Sequence, residues 1–215
     1  MFVSLEGIDG SGKSTQAALL AAALGPETLL LREPGGTDAA ERIRSLLADP
    51  SLKLDPLAEL LLFCAARADL VRQVLGPALE QGRDVVCDRF ADSTAAYQGG
   101  ARGLGIELAE RLSEAATGGL QPDLTVLLWI DPESAAGRSE GDDRFEAEGL
   151  DFQRAVASAY EEIAVRHGRV VKVDAGGEVE EVHERVMEAV RATHDDQGGH
   201  DRGTPGPETG DVPRD

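Results

Sequence analysis

Residues 7–14, Gly7-Ile8-Asp9-Gly10-Ser11-Gly12-Lys13-Ser14, put three glycines, a lysine and two hydroxyls into one short stretch. The pattern Gly7-x-x-x-x-Gly12-Lys13-Ser14 has the spacing of a loop that wraps phosphate groups. Glycines let successive backbone N–H groups turn toward one point, which a run of β-carbons would prevent. Lys13 can then reach the β- and γ-phosphates of a nucleotide, and the Ser14 hydroxyl can hold Mg²⁺. Lysine is scarce here, with three in the whole chain, and one of them stands at this position. A plain glycine-rich turn is the competing reading. The apolar run before the loop and the apolar periodicity after it favour phosphate binding.

A second group of reactive types begins at Asp88. The apolar Val85-Val86-Cys87 stops at Asp88-Arg89, and Ser93, Thr94, Tyr97 and Gln98 follow. An acid at a strand end beside the loop can bind the shell of the same Mg²⁺ through water. Alone, it reads equally well as a turn residue. The arginine next to it shifts the balance, because a phosphate beside a metal needs a fixed planar donor, and arginine supplies one bidentately.

Such groups need elements to hold them. Residues 2–5 read as a buried strand, and Ala17, Leu19, Leu20, Ala23 and Leu24 mark the helix after the loop. A second strand is expected at 28–31, and a helix at 37–47 capped by Thr37 or Asp38. Asp55 or Pro56 opens a long helix through Phe63, Cys64, Arg67 and Val74, with Pro77 ending or kinking it. Further strands are expected at 84–87, 124–130 and 170–173, the second nearly all apolar and so buried on both faces. Helices are expected at 106–116, closed by Gly118-Gly119, and at 150–167 and 179–192. Five strands alternating with helices imply an α/β fold of three layers. It is the P-loop NTPase arrangement, a five-stranded parallel sheet with helices on both faces. One domain covers 1–193. Residues 194–215 are an acidic, Gly/Pro-rich stretch that cannot bury enough apolar surface to order itself.

Composition narrows the partners. The chain has 215 residues and a formal net charge of −19, which argues against nucleic acid as a partner. No apolar run approaches the roughly 20 residues that span a bilayer, and the first residues lack the pattern of a cleaved signal. A cytoplasmic location with no membrane contact is the expectation. An acidic protein that handles phosphates must gather its arginines locally. Cys64 and Cys87 fall in apolar segments and read as buried free thiols.

Several segments together resemble thymidylate kinase of the bacterial type. They are 5–15 (Leu-Glu-Gly-Ile-Asp-Gly-Ser-Gly-Lys-Ser-Thr), 32–37 (Arg-Glu-Pro-Gly-Gly-Thr), 61–67 (Leu-Leu-Phe-Cys-Ala-Ala-Arg), 88–99 (Asp-Arg-Phe-Ala-Asp-Ser-Thr-Ala-Ala-Tyr-Gln-Gly), 122–125 (Pro-Asp-Leu-Thr) and 143–146 (Asp-Arg-Phe-Glu). They stand in family order across about residues 1–190. The resemblance implies transfer of a phosphoryl group from Mg-ATP to thymidine monophosphate, feeding dTTP synthesis, in a homodimer. The ATP-binding residues implied are Gly7, Ile8, Asp9, Gly10, Ser11, Gly12, Lys13, Ser14 and Thr15, with Ser14 and Asp88 serving the metal. Phe63 would stack on the pyrimidine, and Arg67, one turn on, would donate to a base carbonyl. Thr94, with Ser93 or Gln98, would meet the base edge. Tyr97 would leave no room for a 2′-hydroxyl. Asp9 would accept from the sugar 3′-hydroxyl, and Arg89 would clamp the acceptor phosphate. The Glu33-Pro34 bond is expected to be cis, bringing Pro34, Arg32 or the Gly35-Gly36 amides near that phosphate.

The charged segment 137–149 reads as a lid. Negative charge on the moving phosphoryl group must be met by cations. Gly10-Ser11 stands where one version of the family carries an arginine inside the loop, so Arg138 and Arg144 are the candidates to close over ATP. The alternative is a solvated charged loop. This lid is shorter and more acidic than the family's, Ala66 and Leu70 replace residues more often polar, and Phe90 replaces a tyrosine. Rival readings are the same chemistry on another nucleotide acceptor, a nucleotide-binding switch, and a kinase-like chain without activity. The guanine-reading Asn-Lys-x-Asp of a GTPase switch is absent.

Overall fold

The structure, a computed structural model, describes residues 1–136, 138 and 148–198. The expected lid, apart from Arg138, Glu148 and Gly149, lies outside the described residues, as does the tail beyond Gly198.

Five parallel strands form one sheet in the order β2-β3-β1-β4-β5. They are β1 (Phe2–Glu6), β2 (Leu29–Arg32), β3 (Val85–Asp88), β4 (Leu124–Trp129) and β5 (Val170–Asp174). All five residues of β1 are buried, as a strand covered by helices on both faces requires. The sheet separates two apolar clusters. One gathers Val3, Leu5, Val86 and Val126 with Leu20, Val156, Tyr160 and Val186. The other gathers Phe2, Val85 and Cys87 with Leu31, Leu70 and Phe90. The alternation of Phe2 with Val3, and of Val86 with Cys87, is the two-residue period of a strand sending side chains to opposite faces. Cys64 and Cys87 are buried and free, as their apolar surroundings predict.

The helices are α1 (Lys13–Leu24), α2 (Asp38–Ala48), α3 (Pro56–Leu70), α4 (Gly76–Glu80), α5 (Ala91–Thr94), α6 (Ile106–Thr117), α7 (Pro132–Ala135), α8 (Leu150–Arg166) and α9 (Val179–Gly198). Their ends follow local chemistry. Thr37 caps α2 by accepting from the Ala40 N–H at 3.1 Å, and Asp55 caps α3 with Pro56 at the first helical position, where a missing N–H costs nothing. Gly118, at φ 64°, closes α6.

Three segments differ from expectation. Pro77 does not stop the long helix. A π-helical stretch, Val71–Leu75, joins α3 to α4, with the Gly76 N–H reaching Val71 O. Pro77 has no N–H for the carbonyl one turn back, and the wider turn before it absorbs the mismatch. Residues 91–101 are helical throughout, α5 running into a second π-helical stretch, Ala95–Ala101. This segment is buried on most sides, so it lacks the one-sided apolar period that announces a helix. α9 runs six residues past Ala192.

The register does the positioning. Leu5 of β1 lies opposite Asp88 of β3, so the loop after β1 and the acid ending β3 emerge side by side at the strands' C-terminal edge, where ligands of open α/β sheets bind.

Candidate active site

A cleft of about 580 Å³ opens at that edge, walled among others by Lys13, Ser14, Phe63, Asp88, Arg89 and Gln98. The loop that forms its floor depends on glycine for steric reasons. Gly7 (φ 144°) and Gly10 (φ 76°) take left-handed conformations, and a Cβ on either would come 2.6 Å from a backbone oxygen, of Leu128 or Ala135. Gly12 begins α1 without a side-chain cap, which leaves the first N–H groups of a twelve-residue helix for an anion. Gly10, Gly12 and Thr15 line the cleft with Asp9, while Gly7, Ile8 and Ser11 are not part of its lining. Lys13 Nζ donates to Ile8 O at 2.7 Å and to Ser11 Oγ at 3.3 Å. Burial, and then repulsion from Arg89, push the Lys13 ammonium down to about 8. A phosphate is the counter-charge that would reverse this.

Ser14 Oγ donates to Asp88 Oδ2 at 2.5 Å, and the other Asp88 oxygen, Oδ1, is buried without a hydrogen-bond partner. A hydroxyl beside an unsatisfied carboxylate oxygen suits a hard cation. Among the described residues, no cluster of three or more His, Cys, Asp or Glu side chains could hold a metal. The Ser14 hydroxyl and Asp88 carboxylate are oxygen donors of the kind that suit Mg²⁺, which keeps waters and substrate phosphate oxygens rather than filling its shell from protein.

Arg89 is the hub of the opposite wall. It has φ 70°, the one described non-glycine residue with positive φ, a conformation costing about 1–3 kcal/mol that surrounding contacts must offset. Its backbone N–H donates to Leu5 O at 3.0 Å. Its guanidinium donates to Gly7 O (3.2 Å), Ser93 Oγ (3.2 Å) and Tyr97 OH (3.1 Å), and it pairs with Asp9. Burial pushes the Asp9 carboxyl up, but the Arg89 and Lys13 charges outweigh it and hold the carboxyl below its usual range. Burial raises the Tyr97 phenol, so it stays a neutral donor to Asp9 at 3.0 Å. Asp9 Oδ2 also accepts from Gln153 of α8 at 2.8 Å. Both Asp9 oxygens are thus engaged within the protein, although the residue borders the cleft.

Arg67 does not reach the cleft wall. It is 1% exposed and donates to Glu33 (2.7 Å), Ser113 (3.2 Å), Phe90 O (3.1 Å) and Thr94 Oγ1 (2.9 Å). Its link to the cleft runs through Thr94, which does line it. Burial drives the Glu33 carboxyl up to about 7 against the attraction of Arg67, and Glu33 Oε1 has no partner. The Glu33-Pro34 bond is cis, and Pro34 lines the cleft with Phe63, Ser93, Tyr97 and Gln98.

Cations gather here despite the acidic chain. Lys13, Arg32, Arg44, Arg89 and Arg138 border the cleft against the carboxylates of Asp9, Glu33 and Asp88. Arg44 went unnoticed in the sequence, where it is one charge on an amphipathic helix. Its Nη1 donates to Pro34 O at 2.9 Å. Arg138 Nη1 lies 3.5 Å from Ala175 O, and Arg144 lies outside the described residues. Two more residues had been missed. Gln153 is separated from Asp9 by most of the chain. Glu6 carried a signal, since an acid ends an apolar strand, and the structure buries it fully. It accepts from Phe90 N–H (2.7 Å), Ser93 Oγ (2.5 Å) and Tyr160 OH (2.8 Å). Burial first, and the Asp92 charge second, push it up to about 7.

The thymidylate kinase family model matches residues 5–186. A thymidylate kinase of Synechococcus sp. (strain JA-3-3Ab) is 48% identical over 197 residues, spanning 89% of this chain and 95% of that protein. One from Deinococcus radiodurans is 43% identical over 197 residues, spanning 88% and 96%. The crystal structure of thymidylate kinase from Ehrlichia chaffeensis superposes with a TM-score of 0.75 at 33% identity, covering 88% of this chain and 98% of that one.

Proposed function

The chain belongs to the thymidylate kinase family, and from that premise we propose that it transfers the γ-phosphoryl group of Mg-ATP to thymidine monophosphate, giving ADP and thymidine diphosphate for dTTP synthesis. The observation that carries this reading is the meeting, in one cleft, of the loop with Lys13 and Ser14, the Asp88-Arg89 pair, and the Phe63, Thr94, Tyr97 and Gln98 wall.

The acceptor is already an anion, so its phosphate oxygen attacks the γ-phosphorus as the bond to the β-bridging oxygen breaks, with no strong base required. Catalysis is then positioning and charge neutralisation. The loop amides and Lys13 hold the donor phosphates. Ser14 and Asp88 would hold Mg²⁺, which would offset charge on the donor phosphates. Arg89, fixed by Asp9, Ser93 and Tyr97, clamps the acceptor phosphate, and Arg32 and Arg44 add positive potential beside it. Arg138, which borders the cleft, and Arg144 would add positive charge against the moving phosphoryl group. Phe63 stacks on the base. Thr94 and Gln98 meet its edge, with Arg67 holding Thr94 in place from behind. Tyr97 lies under the sugar.

The reading includes a cytoplasmic homodimer. Exposed Leu57 and Leu61 on α3 support the second part, and no described helix is long and apolar enough to cross a membrane. Product analysis by ion-exchange chromatography checks the chemistry. Thymidine diphosphate and ADP are expected one for one, and chelation of Mg²⁺ is expected to stop both. ADP without thymidine diphosphate would reduce the protein to a nucleotide hydrolase.

A further inference from the structure

Glu59 is a carboxylate the reaction has not used. It sits in the first turn of α3, is 1% exposed, and is not part of the cleft wall. Its Oε1 accepts from Gln98 Nε2 at 2.8 Å and from Arg102 Nε at 3.3 Å, while Arg102 Nη2 lies 3.5 Å from Oε2. A carboxylate paired with an arginine can only accept. It therefore fixes the Gln98 carboxamide one way round, with the NH₂ toward Glu59. The flipped amide would set oxygen against oxygen in a buried place, which is costly.

Gln98 is itself 1% exposed, yet it lines the cleft one turn beyond Thr94. No described residue donates to its Oε1, and that oxygen is not enclosed as an orphan. With its nitrogen committed to Glu59, the carboxamide offers the cleft an acceptor. We propose that Glu59 is a positioning residue that sets base specificity: by holding the Gln98 oxygen toward the cleft, it admits a pyrimidine with a ring N–H, as thymine and uracil have at N3, and turns away cytosine, whose N3 is an acceptor. This rests on reading the cleft as the thymidine monophosphate site.

Glu59→Gln tests it, because glutamine can present either end of its amide and lets Gln98 turn over. The quantity to read is the ratio of kcat/KM for thymidine monophosphate to that for deoxycytidine monophosphate, with Mg-ATP. That ratio falls about tenfold or more in Glu59→Gln, chiefly through a higher KM for thymidine monophosphate, while kcat changes little because the phosphates are held elsewhere. Arg102→Gln, which removes the ion pair and leaves the Glu59–Gln98 bond, keeps the wild-type ratio. The double variant E59Q/R102Q removes the pair as a unit, shows the same drop as E59Q, and carries the test if the single variant does not fold.

A wild-type ratio in folded E59Q or in the double variant overturns the role of Glu59. So does an equal drop in Arg102→Gln, which would trace the effect to the ion pair. A wild-type enzyme that does not phosphorylate thymidine monophosphate sinks the reading of the site itself, a result distinct from either.

Discussion

Lys13→Ala is expected to lower kcat by about 10³-fold or more, the scale of losing a principal charge-stabilising donor, while the protein stays folded. Lys13 is almost fully buried, and among the described residues its ammonium bonds to the loop that carries it, at Ile8 O and Ser11 Oγ. Removing it takes away two hydrogen bonds that lie within that loop. In the free protein the ammonium is held down to about 8 by burial and by Arg89. Nucleotide phosphates would supply the missing counter-charge, so its binding energy is realised where charge develops during transfer. Steady-state turnover and a thermal melt on the same sample check both halves. Turnover within a few-fold of wild type would remove Lys13 from the mechanism, and a lost melting transition would make it a structural residue.

The largest stability effect is expected at Arg67, well away from the phosphates. Arg67→Met strands Glu33, whose Oε2 accepts from Arg67 Nε at 2.7 Å and whose Oε1 has no partner at all. Removing one member of a buried pair typically costs about 3–5 kcal/mol. The pH dependence identifies the cause. Burial already raises Glu33 to about 7 in the folded protein, against 4.5 for the unpaired carboxyl. Its favourable contribution is thus fully present below 4.5 and is lost as pH rises through 7. Without Arg67 the folded value rises further. Urea unfolding should then show a larger deficit for Arg67→Met at pH 8 than at pH 5. Glu33→Gln in that background should recover part of the pH 8 loss and flatten the difference. An equal deficit at both pH values, with no recovery from Glu33→Gln, would place the cost in the lost Thr94 and Phe90 contacts instead.

The contrast between Lys13 and Arg67 marks what the sequence could express. The loop was legible because its chemistry is local: eight consecutive residues contain both the glycines the backbone needs and the groups the phosphates need. The five-stranded parallel sheet followed from the alternation of strands and helices, although its strand order did not, and Asp55-Pro56 announced the start of α3 by simple cap chemistry. The family resemblance offers Arg67 as a base donor, one helical turn from Phe63. Its partners within the protein lie 23 to 46 residues away, and a one-dimensional pattern does not carry such pairings. The same holds for Gln153 on Asp9 and Glu59 on Gln98. The helical run 91–101 escaped for a different reason: burial on most sides erases the periodicity that reveals a surface helix.

Acceptor choice is where these pieces meet, and a coupled ADP-release assay with Mg-ATP measures it most directly. The panel is thymidine, deoxyuridine, uridine, deoxycytidine and deoxyadenosine monophosphates. The account predicts the highest kcat/KM for thymidine monophosphate, with deoxyuridine monophosphate ahead of its ribose counterpart because Tyr97 crowds the 2′ position. Equal or faster transfer to a purine or a ribonucleotide would leave the phosphate loop its role and contradict the assignment of Phe63, Thr94, Tyr97 and Gln98 as a deoxypyrimidine pocket.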